Sequence, residues 1–335
     1  MKSEWNSPPD PQACAQPAPY ETEAQSEILP SADVALVIAF ITQLRRVFSA
    51  PSYRPPLLPT VALEVHQLSL RSDVGADQLV QVLEKDAVLA GQVLRVAGSA
   101  AFGGWGQKDV SLKIAVVRLG MRNLASVVWE VAAGMRVFRS PRYAAAMEQI
   151  RSHSTLCAHL CRLIAARRSL SPETAFLCGL LHDIGMAAAL IVLGEQKATT
   201  NGLDPTLLGM ALQQCHQEAS AVVAGLWKLP PDVRLVLGHH HDVVIHGFVH
   251  PLAAVVAVAE ELTREAGLGI VLSGHNCDVT SDTALAHARN ALGFDRGRME
   301  KLGQEAKRLL STLDRGAATA AATPDEHPKA QRSKR

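Results

Sequence analysis

The sequence is poor in aromatic residues, in cysteine and in net charge. Phe, Trp and Tyr make up 4% of its 335 residues, whereas apolar residues make up 48%. Six cysteines in a chain of this length do not form the disulfide framework of a small secreted protein, so a reducing cytoplasm is the expected compartment. The 33 Lys and Arg nearly balance the 32 Asp and Glu, and we therefore expect no nucleic acid among its partners.

Long uncharged apolar runs are also lacking. The best two, residues 186–193 and 251–259, are shorter than the roughly 18 residues that cross a bilayer, and they are typical of buried helices. The first 30 residues contain Pro and acidic residues rather than a basic start and an apolar run, so they do not read as a secretory signal. The sequence therefore predicts neither a membrane span nor secretion.

Both ends of the chain have the composition of disordered tails. Residues 1–31 hold six prolines and five acidic residues against one Lys, and residues 314–335 are rich in Ala, Thr and Pro before a basic end. Such segments bury too little apolar surface to offset the entropy lost on ordering. We predict disorder in both.

Between the tails, apolar residues recur at helical spacing, and no stretch alternates with a period of two. We predict an all-α fold with a lead-in helix over 32–51, a main domain over 52–268, and a loop and helix over 269–313. The main domain divides into a first half, 52–140, which is nearly free of His, and a second half, 141–268, which holds most of the histidines. A chemical site is therefore expected in the second half.

The most informative local feature is the dipeptide His182-Asp183, which follows an apolar helical run and precedes Gly185. Imidazole nitrogen and carboxylate oxygen together suit a divalent metal ion. Neighbouring residues on a continuous helix point about 100° apart, so both can face one ion only where the helix breaks. The pair alone is weak evidence, because His241-Asp242 is a second one.

Further candidate ligands lie on other predicted helices. They are His153, His216, one or two members of the triplet 239–241, and Glu260. Each has a structural alternative, since a single His is more often a surface or core residue and Glu260 fits the solvated edge of a helix. Cys157 and Cys161, one helical turn apart, are better explained as small buried residues than as a thiolate site.

Several motifs together resemble the HDOD domains, the HD-related output domains of bacterial signalling proteins. In the first half they are Leu58-Pro59 and residues 83–89 (LEKDAVL), 93–99 (VLRVAGS) and 110–120 (VSLKIAVVRLG). In the second half they are residues 179–185 (GLLHDIG), His216 with residues 227–230 (WKLP), and His239-His240. The resemblance spans residues 52–268. The sequence departs from the usual pattern at Ala87, where the family has Pro, and at Gly98, where it has Asn.

The resemblance implies a multi-helix bundle related to the HD metal phosphohydrolases. The metal ligands that it implies are His153, His182, Asp183 and Glu260, the last standing where that superfamily normally has Asp. For a second ion it implies His216 and His240, with His239 as the alternative to His240. It thus implies one or two divalent ions, such as iron or manganese, with Asp183 as the candidate catalytic residue.

The resemblance also ranks the functions. HDOD proteins are mostly regarded as regulatory modules, so the favoured interpretation is a signal-transduction module that binds a protein partner or a small-molecule ligand. The alternative is metal-dependent hydrolysis of a phosphate ester, and no cationic phosphate clamp is evident in the sequence to support it. The related HD-GYP branch hydrolyses cyclic di-GMP. Its Gly-Tyr-Pro signature is missing here, where residues 242–247 read DVVIHG, which argues against that reaction.

Overall fold

The computed structural model describes residues 31–56, 60–98, 111–195, 204–272, 275–277 and 280–321. Helices dominate this part of the chain, which confirms the all-α prediction. They are α1 (Ser31–Phe48), α2 (Thr60–Ser69), α3 (Ala76–Leu83), α4 (Ala87–Ala97), α5 (Leu112–Arg136), α6 (Ala144–Ala166), α7 (Pro172–Leu181), α8 (Ile184–Glu195), α9 (Pro205–Leu226), α10 (Pro231–His239), α11 (Pro251–Thr263), α12 (Asp282–Ala291) and α13 (Arg296–Ala321).

Two short antiparallel hairpins interrupt the helical pattern. One pairs β1 (Val244–Ile245) with β2 (Phe248–Val249), and the other pairs β3 (Val271–Leu272) with β4 (His275–Asn276). Strands of two residues are too short to produce a periodic signal, so the sequence did not predict them. They shape the connections on either side of α11.

Helix boundaries follow capping residues and glycines. The side chains of Asp86 and Ser171 accept hydrogen bonds from main-chain N–H groups three residues on, which begins α4 and α7. Gly120 has a φ of +68° and kinks α5. Gly293, with a φ of +59°, lies between α12 and α13, in the region 269–313 where the sequence predicted a loop followed by one helix.

The predicted tails fall mostly outside the described residues. Residues 1–30 and 322–335 are among those that the structure does not describe. At the C-terminal end, α13 continues to Ala321, past residue 313, at which the sequence predicts the last helix to end.

The centre of the second half is the α7–α8 pair. By length and composition the stretch Pro172–Glu195 could cross a membrane, but 94% of its apolar window is buried within the protein. A helix that is apolar on all sides needs cover on all sides, and α6, α9, α10 and α11 provide it. The break between α7 and α8 therefore lies deep in the bundle.

The first half packs onto this bundle through α5, which contacts α2, α3, α4 and α7. The lead-in helix α1 lies along α9, where Arg45 Nε donates a hydrogen bond of 2.7 Å to Glu218 Oε2. Trp227 Nε1 also donates to the carbonyl of Pro56 at 3.0 Å, which links the end of α9 to the segment before α2. The histidine-rich half is thus enclosed by its own helices and supported from outside by α1 and α5.

Candidate metal centre

The dipeptide His182-Asp183 occupies the break between α7 and α8. Helix α7 ends at Leu181 and α8 begins at Ile184, and the side chains of both residues between them point into the bundle. Both are completely buried. The sequence hypothesis that this pair needs a helix break is consistent with this geometry.

The Asp183 carboxylate lies among four imidazoles. Its Oδ2 is 3.1 Å from His182 Nε2 and 3.9 Å from His153 Nε2. Its Oδ1 is 3.5 Å from both His216 Nε2 and His240 Nε2. The two oxygens of one carboxylate therefore face two separate groups of histidines.

These groups form two half-sites. The first half-site consists of His153, His182 and Glu260, and the second half-site consists of His216, His240 and His241. Within each triplet, one ligand atom per residue lies within 4.8 Å of the other two. Asp183 stands between the half-sites, so seven side chains converge.

The inward-facing nitrogen of four of the histidines is set by the main chain. The Nδ1 atoms of His153, His182, His216 and His240 lie 2.7–3.0 Å from the carbonyl oxygens of Leu268, Gly179, Gln213 and Leu237. A carbonyl oxygen only accepts hydrogen bonds, so Nδ1 carries a hydrogen, and whenever the imidazole is neutral Nε2 presents its lone pair to the centre of the cluster. This is how proteins orient histidines that bind metal.

The spacing of the lone pairs fits divalent cations. The Nε2 atoms of His153 and His182 are 3.2 Å apart, and His216 Nε2 is 3.1 Å from that of His240 and 3.0 Å from that of His241. Metal–nitrogen bonds of about 2.0–2.1 Å place two ligands of one ion roughly 2.9–3.4 Å apart, depending on the coordination angle. Lone pairs this close repel each other unless a cation or a proton lies between them.

The central carboxylate supports the same conclusion. Asp183 is completely buried, and imidazole nitrogens of the cluster lie close to both of its oxygens. A buried carboxylate is costly unless a cation or a charged donor is paired with it. The residues present therefore fit divalent metal ions.

Burial keeps most of the histidines neutral, as metal ligands must be. It lowers the pKa of His153 and of His216 to about 4, and it also lowers the pKa values of His240 and His241. These four imidazoles are ready to bind a cation at neutral pH without losing a proton.

His182 and Asp183 behave as a coupled pair. Burial is the largest single effect and disfavours charge on both. Their mutual attraction, with Cys157 and Glu260 acting on His182 and with His240 and His216 acting on Asp183, outweighs it, so the pKa of His182 is raised and that of Asp183 is held well below its usual range. In the absence of a cation, His182 therefore carries the positive charge that balances the carboxylate.

The structure places the predicted ligands as follows. It brings together His153, His182, Asp183, His216, His240 and Glu260. The proposed alternative His239 lies outside the cluster, because its half-exposed imidazole is hydrogen-bonded through Nδ1 to Asp242 at 3.0 Å. The sequence offered His241 only as a member of the triplet 239–241, and the resemblance gave it no role. Helix α10 ends at His239, and the imidazoles of both following residues face inward.

Cys157 and Cys161 are not members of either half-site. Cys157 and Cys161 are buried on α6 with their sulfur atoms 4.0 Å apart. Burial raises the pKa of the Cys157 thiol well above its usual value, so it is not a thiolate. This agrees with the interpretation of both as small core residues.

Comparison with known proteins supports the fold. An HDOD domain protein of unknown function from Geobacter sulfurreducens superposes with a TM-score of 0.60 at 22% identity, covering 84% of this chain and 98% of that one. A protein from Shewanella amazonensis SB2B, provisionally named a metal-dependent phosphohydrolase, gives a TM-score of 0.57 at 20% identity and covers 87% and 99%. A protein from Marinobacter aquaeolei VT8, provisionally named a signal transduction protein, gives 0.61 at 20% identity and covers 87% and 66%.

Sequence comparison identifies the family. A curated protein from Treponema pallidum (strain Nichols), called uncharacterized, is 28% identical over 195 residues, which are 56% of this chain and 37% of that protein. The chain thus matches little more than a third of that relative's length. The HDOD domain family model matches residues 56–243, which include every ligand described above except Glu260. Because this match covers more than half of the chain, the protein belongs to the HDOD domain family.

Proposed function

We propose that the protein binds two divalent metal ions, one in each half-site, and hydrolyses a phosphate ester with them. The observation that carries the proposal is the position of Asp183, whose two oxygens face the two half-sites. When bound, two such ions would supply an activated water molecule of lowered pKa and would neutralise the charge of phosphoryl oxygens.

The charges of the cluster favour an anionic substrate. The seven ligands contribute two carboxylates, Asp183 and Glu260, against the charge of two dications. The loaded site therefore keeps an excess of positive charge in a buried environment, where electrostatic attraction is stronger than in water. This excess can hold a phosphate group without the arginine or lysine clamp that the sequence lacks.

The number of protein ligands favours six-coordinate metals. Each half-site offers three side chains and one oxygen of Asp183. Four ligands fill a tetrahedral ion but leave two positions open on a six-coordinate ion, as manganese and iron prefer. We infer that manganese or iron would support catalysis, whereas a tetrahedral zinc ion would have no coordination position left for water or substrate.

Substrate approaches from the side of His241. Its side chain is 12% exposed, whereas those of His153, His182, Asp183, His216 and His240 are fully buried. His241 therefore marks the edge of the cluster nearest to solvent.

A second candidate function is a metal-loaded signalling module that acts by binding a protein partner or a small-molecule ligand. The burial of six of the seven ligating side chains favours it, because closed sites are typical of structural metals. In this case the ions fix the relative positions of α6, α9, α10 and α11 around the α7–α8 break. The binding surface then lies elsewhere on the domain.

Hydrolysis of bis(p-nitrophenyl) phosphate and p-nitrophenyl phosphate by manganese- or iron-loaded protein tests the proposal. We expect turnover that EDTA abolishes and that Asp183→Asn reduces by at least about a hundredfold, since removal of a bridging charge affects both ions. Asp242→Asn, which changes an exposed carboxylate next to the triplet, is the matched control and should retain activity. Two bound ions without turnover on either ester would contradict hydrolysis and favour the signalling module.

A further inference from the structure

We propose that Thr280 is a positioning residue that fixes one ligand of each half-site, His241 and Glu260, in its metal-binding orientation. This inference rests on the proposed metal centre. Thr280 lies just before α12 and beyond residue 243, where the family match ends.

The hydroxyl of Thr280 bridges the two half-sites. Its Oγ1 is 2.7 Å from His241 Nδ1 and 3.2 Å from Glu260 Oε2. The Thr280 side chain belongs to the buried residues of the chain, so water does not compete freely for these hydrogen bonds. His241 Nδ1 and Glu260 Oε2 lie 3.5 Å from each other, which is farther than either atom lies from the Thr280 hydroxyl.

The direction of these hydrogen bonds determines the tautomer of His241. A carboxylate only accepts, so the Thr280 hydroxyl donates its hydrogen to Glu260 and accepts from His241 Nδ1–H. His241 Nε2 is then the atom with the free lone pair, and it lies 3.0 Å from His216 Nε2. The other four ligand histidines obtain the same orientation from a main-chain carbonyl, whereas His241 obtains it from Thr280.

The same hydroxyl restrains Glu260. Glutamate has one more rotatable bond than aspartate, and each additional free rotation weakens ligand binding. The hydrogen bond from Thr280 to Oε2 limits that rotation. Thr280 thus compensates for the longer side chain and couples the orientation of Glu260 to that of His241.

Titration of the metal-free full chain with Co²⁺, followed by its visible absorption and by equilibrium dialysis, tests the role of the hydroxyl. Thr280→Val removes it while conserving shape, and we expect at least one Co²⁺ to bind about 10- to 100-fold more weakly, as found when partners of ligating residues are removed. Thr280→Ser keeps the hydroxyl and should bind within about threefold of the wild type. Thr263→Val is the matched control, because Thr263 is also buried, lies one turn from Glu260 and donates its hydrogen bond to the main-chain carbonyl of Ala259.

Three results would overturn the proposal. They are wild-type affinity in Thr280→Val, equal weakening in Thr280→Ser, and equal weakening in Thr263→Val. If the wild type binds no Co²⁺, the proposed function fails, and ¹⁵N chemical shifts of the metal-free histidines then decide about Thr280 independently. His241 should be protonated at Nδ1 in the wild type and lose this preference in Thr280→Val, and an unchanged tautomer would refute the inference.

Discussion

Ser220 donates a hydrogen bond of 2.7 Å from its Oγ to the main-chain carbonyl of His182. The same oxygen accepts a hydrogen bond of 2.9 Å from the N–H of Gly185. These two groups flank the break between α7 and α8, which leaves helical main-chain groups without their usual partners. A side chain of α9 therefore satisfies the main chain at the point where His182 and Asp183 turn into the cluster.

We expect Ser220→Ala to destabilise the protein by about 1–3 kcal/mol, because two buried main-chain groups lose their partner. Ser154 on α6 is the matched control, since it is also fully buried but its hydroxyl has no hydrogen-bond partner among the described residues. Ser154→Ala should be neutral or slightly stabilising. Urea denaturation of both variants measures the difference, and equal effects would show that the Ser220 hydroxyl does not support the break.

Gly185 allows α9 to approach this break. A Cβ at position 185 would lie 2.0 Å from the carbonyl oxygen of His216 and 2.7 Å from the main-chain nitrogen of Ser220. Both are main-chain atoms of a packed helix, so they cannot move aside cheaply. The glycine after the His-Asp pair therefore serves close packing against the helix that carries His216.

Gly185→Ala should destabilise the protein by more than about 2 kcal/mol and displace His216 from the second half-site. Gly91→Ala is the control, because a Cβ at position 91 would meet no described atom within 4 Å, and alanine in a helix gains about 0.5–1 kcal/mol over glycine. Thermal denaturation of the two variants checks this. A Gly185→Ala protein as stable as the wild type would mean that α9 is not held at this distance.

His66 in the first half offers a test of burial that is independent of the metal centre. It is buried on α2 beside Trp129, at 6.1 Å between ring centroids. Burial lowers its pKa to about 4, compared with 6.5 when exposed. The folded protein therefore holds fewer protons on His66 than the unfolded chain does between these two pH values.

The contribution of His66 to the free energy of unfolding should be fully present above pH 6.5. It should decrease by up to about 3 kcal/mol as the pH falls toward 4. Replacement with Gln removes this titration. The free energy of unfolding of the wild type should therefore fall more steeply than that of His66→Gln between pH 6.5 and 4.5. Parallel pH profiles would show that His66 titrates alike in the folded and unfolded states.

The two half-sites should lose their ions separately. His153→Ala removes a ligand of the first half-site only, and His241→Ala removes one of the second only. We expect each variant to retain about one tightly bound ion when metal is limiting, because loss of one ligand weakens that ion by orders of magnitude. Loss of both ions in either variant would mean that the cluster binds metal as one indivisible site.

The helical fold and most of the cluster were predictable from sequence because both depend on local patterns. Apolar spacing marks the helices. The His-Asp pair requires a helix break, and Glu260 in an apolar helix is conspicuous. These signals need only the sequence near each residue.

The choice of ligand within the triplet 239–241 and the role of Thr280 depend on the exact ends of helices and on contacts between distant segments. The choice among His239, His240 and His241 turns on the residue at which α10 stops, and helix ends are uncertain by one or two residues in any pattern. Thr280 acts through a single hydroxyl on an irregular segment without periodicity. Neither could be recognised before its neighbours in the fold were known.

Metal analysis of the purified protein after reconstitution with Mn²⁺ or Fe²⁺ tests the seven-residue centre most directly. The expected content for the wild type is about two ions per chain, because Asp183 faces two complete half-sites. Asp183→Ala should retain fewer than half of them, while Asp242→Asn retains both. A wild type without stoichiometric metal, or an Asp183→Ala protein with an undiminished content, would contradict the account.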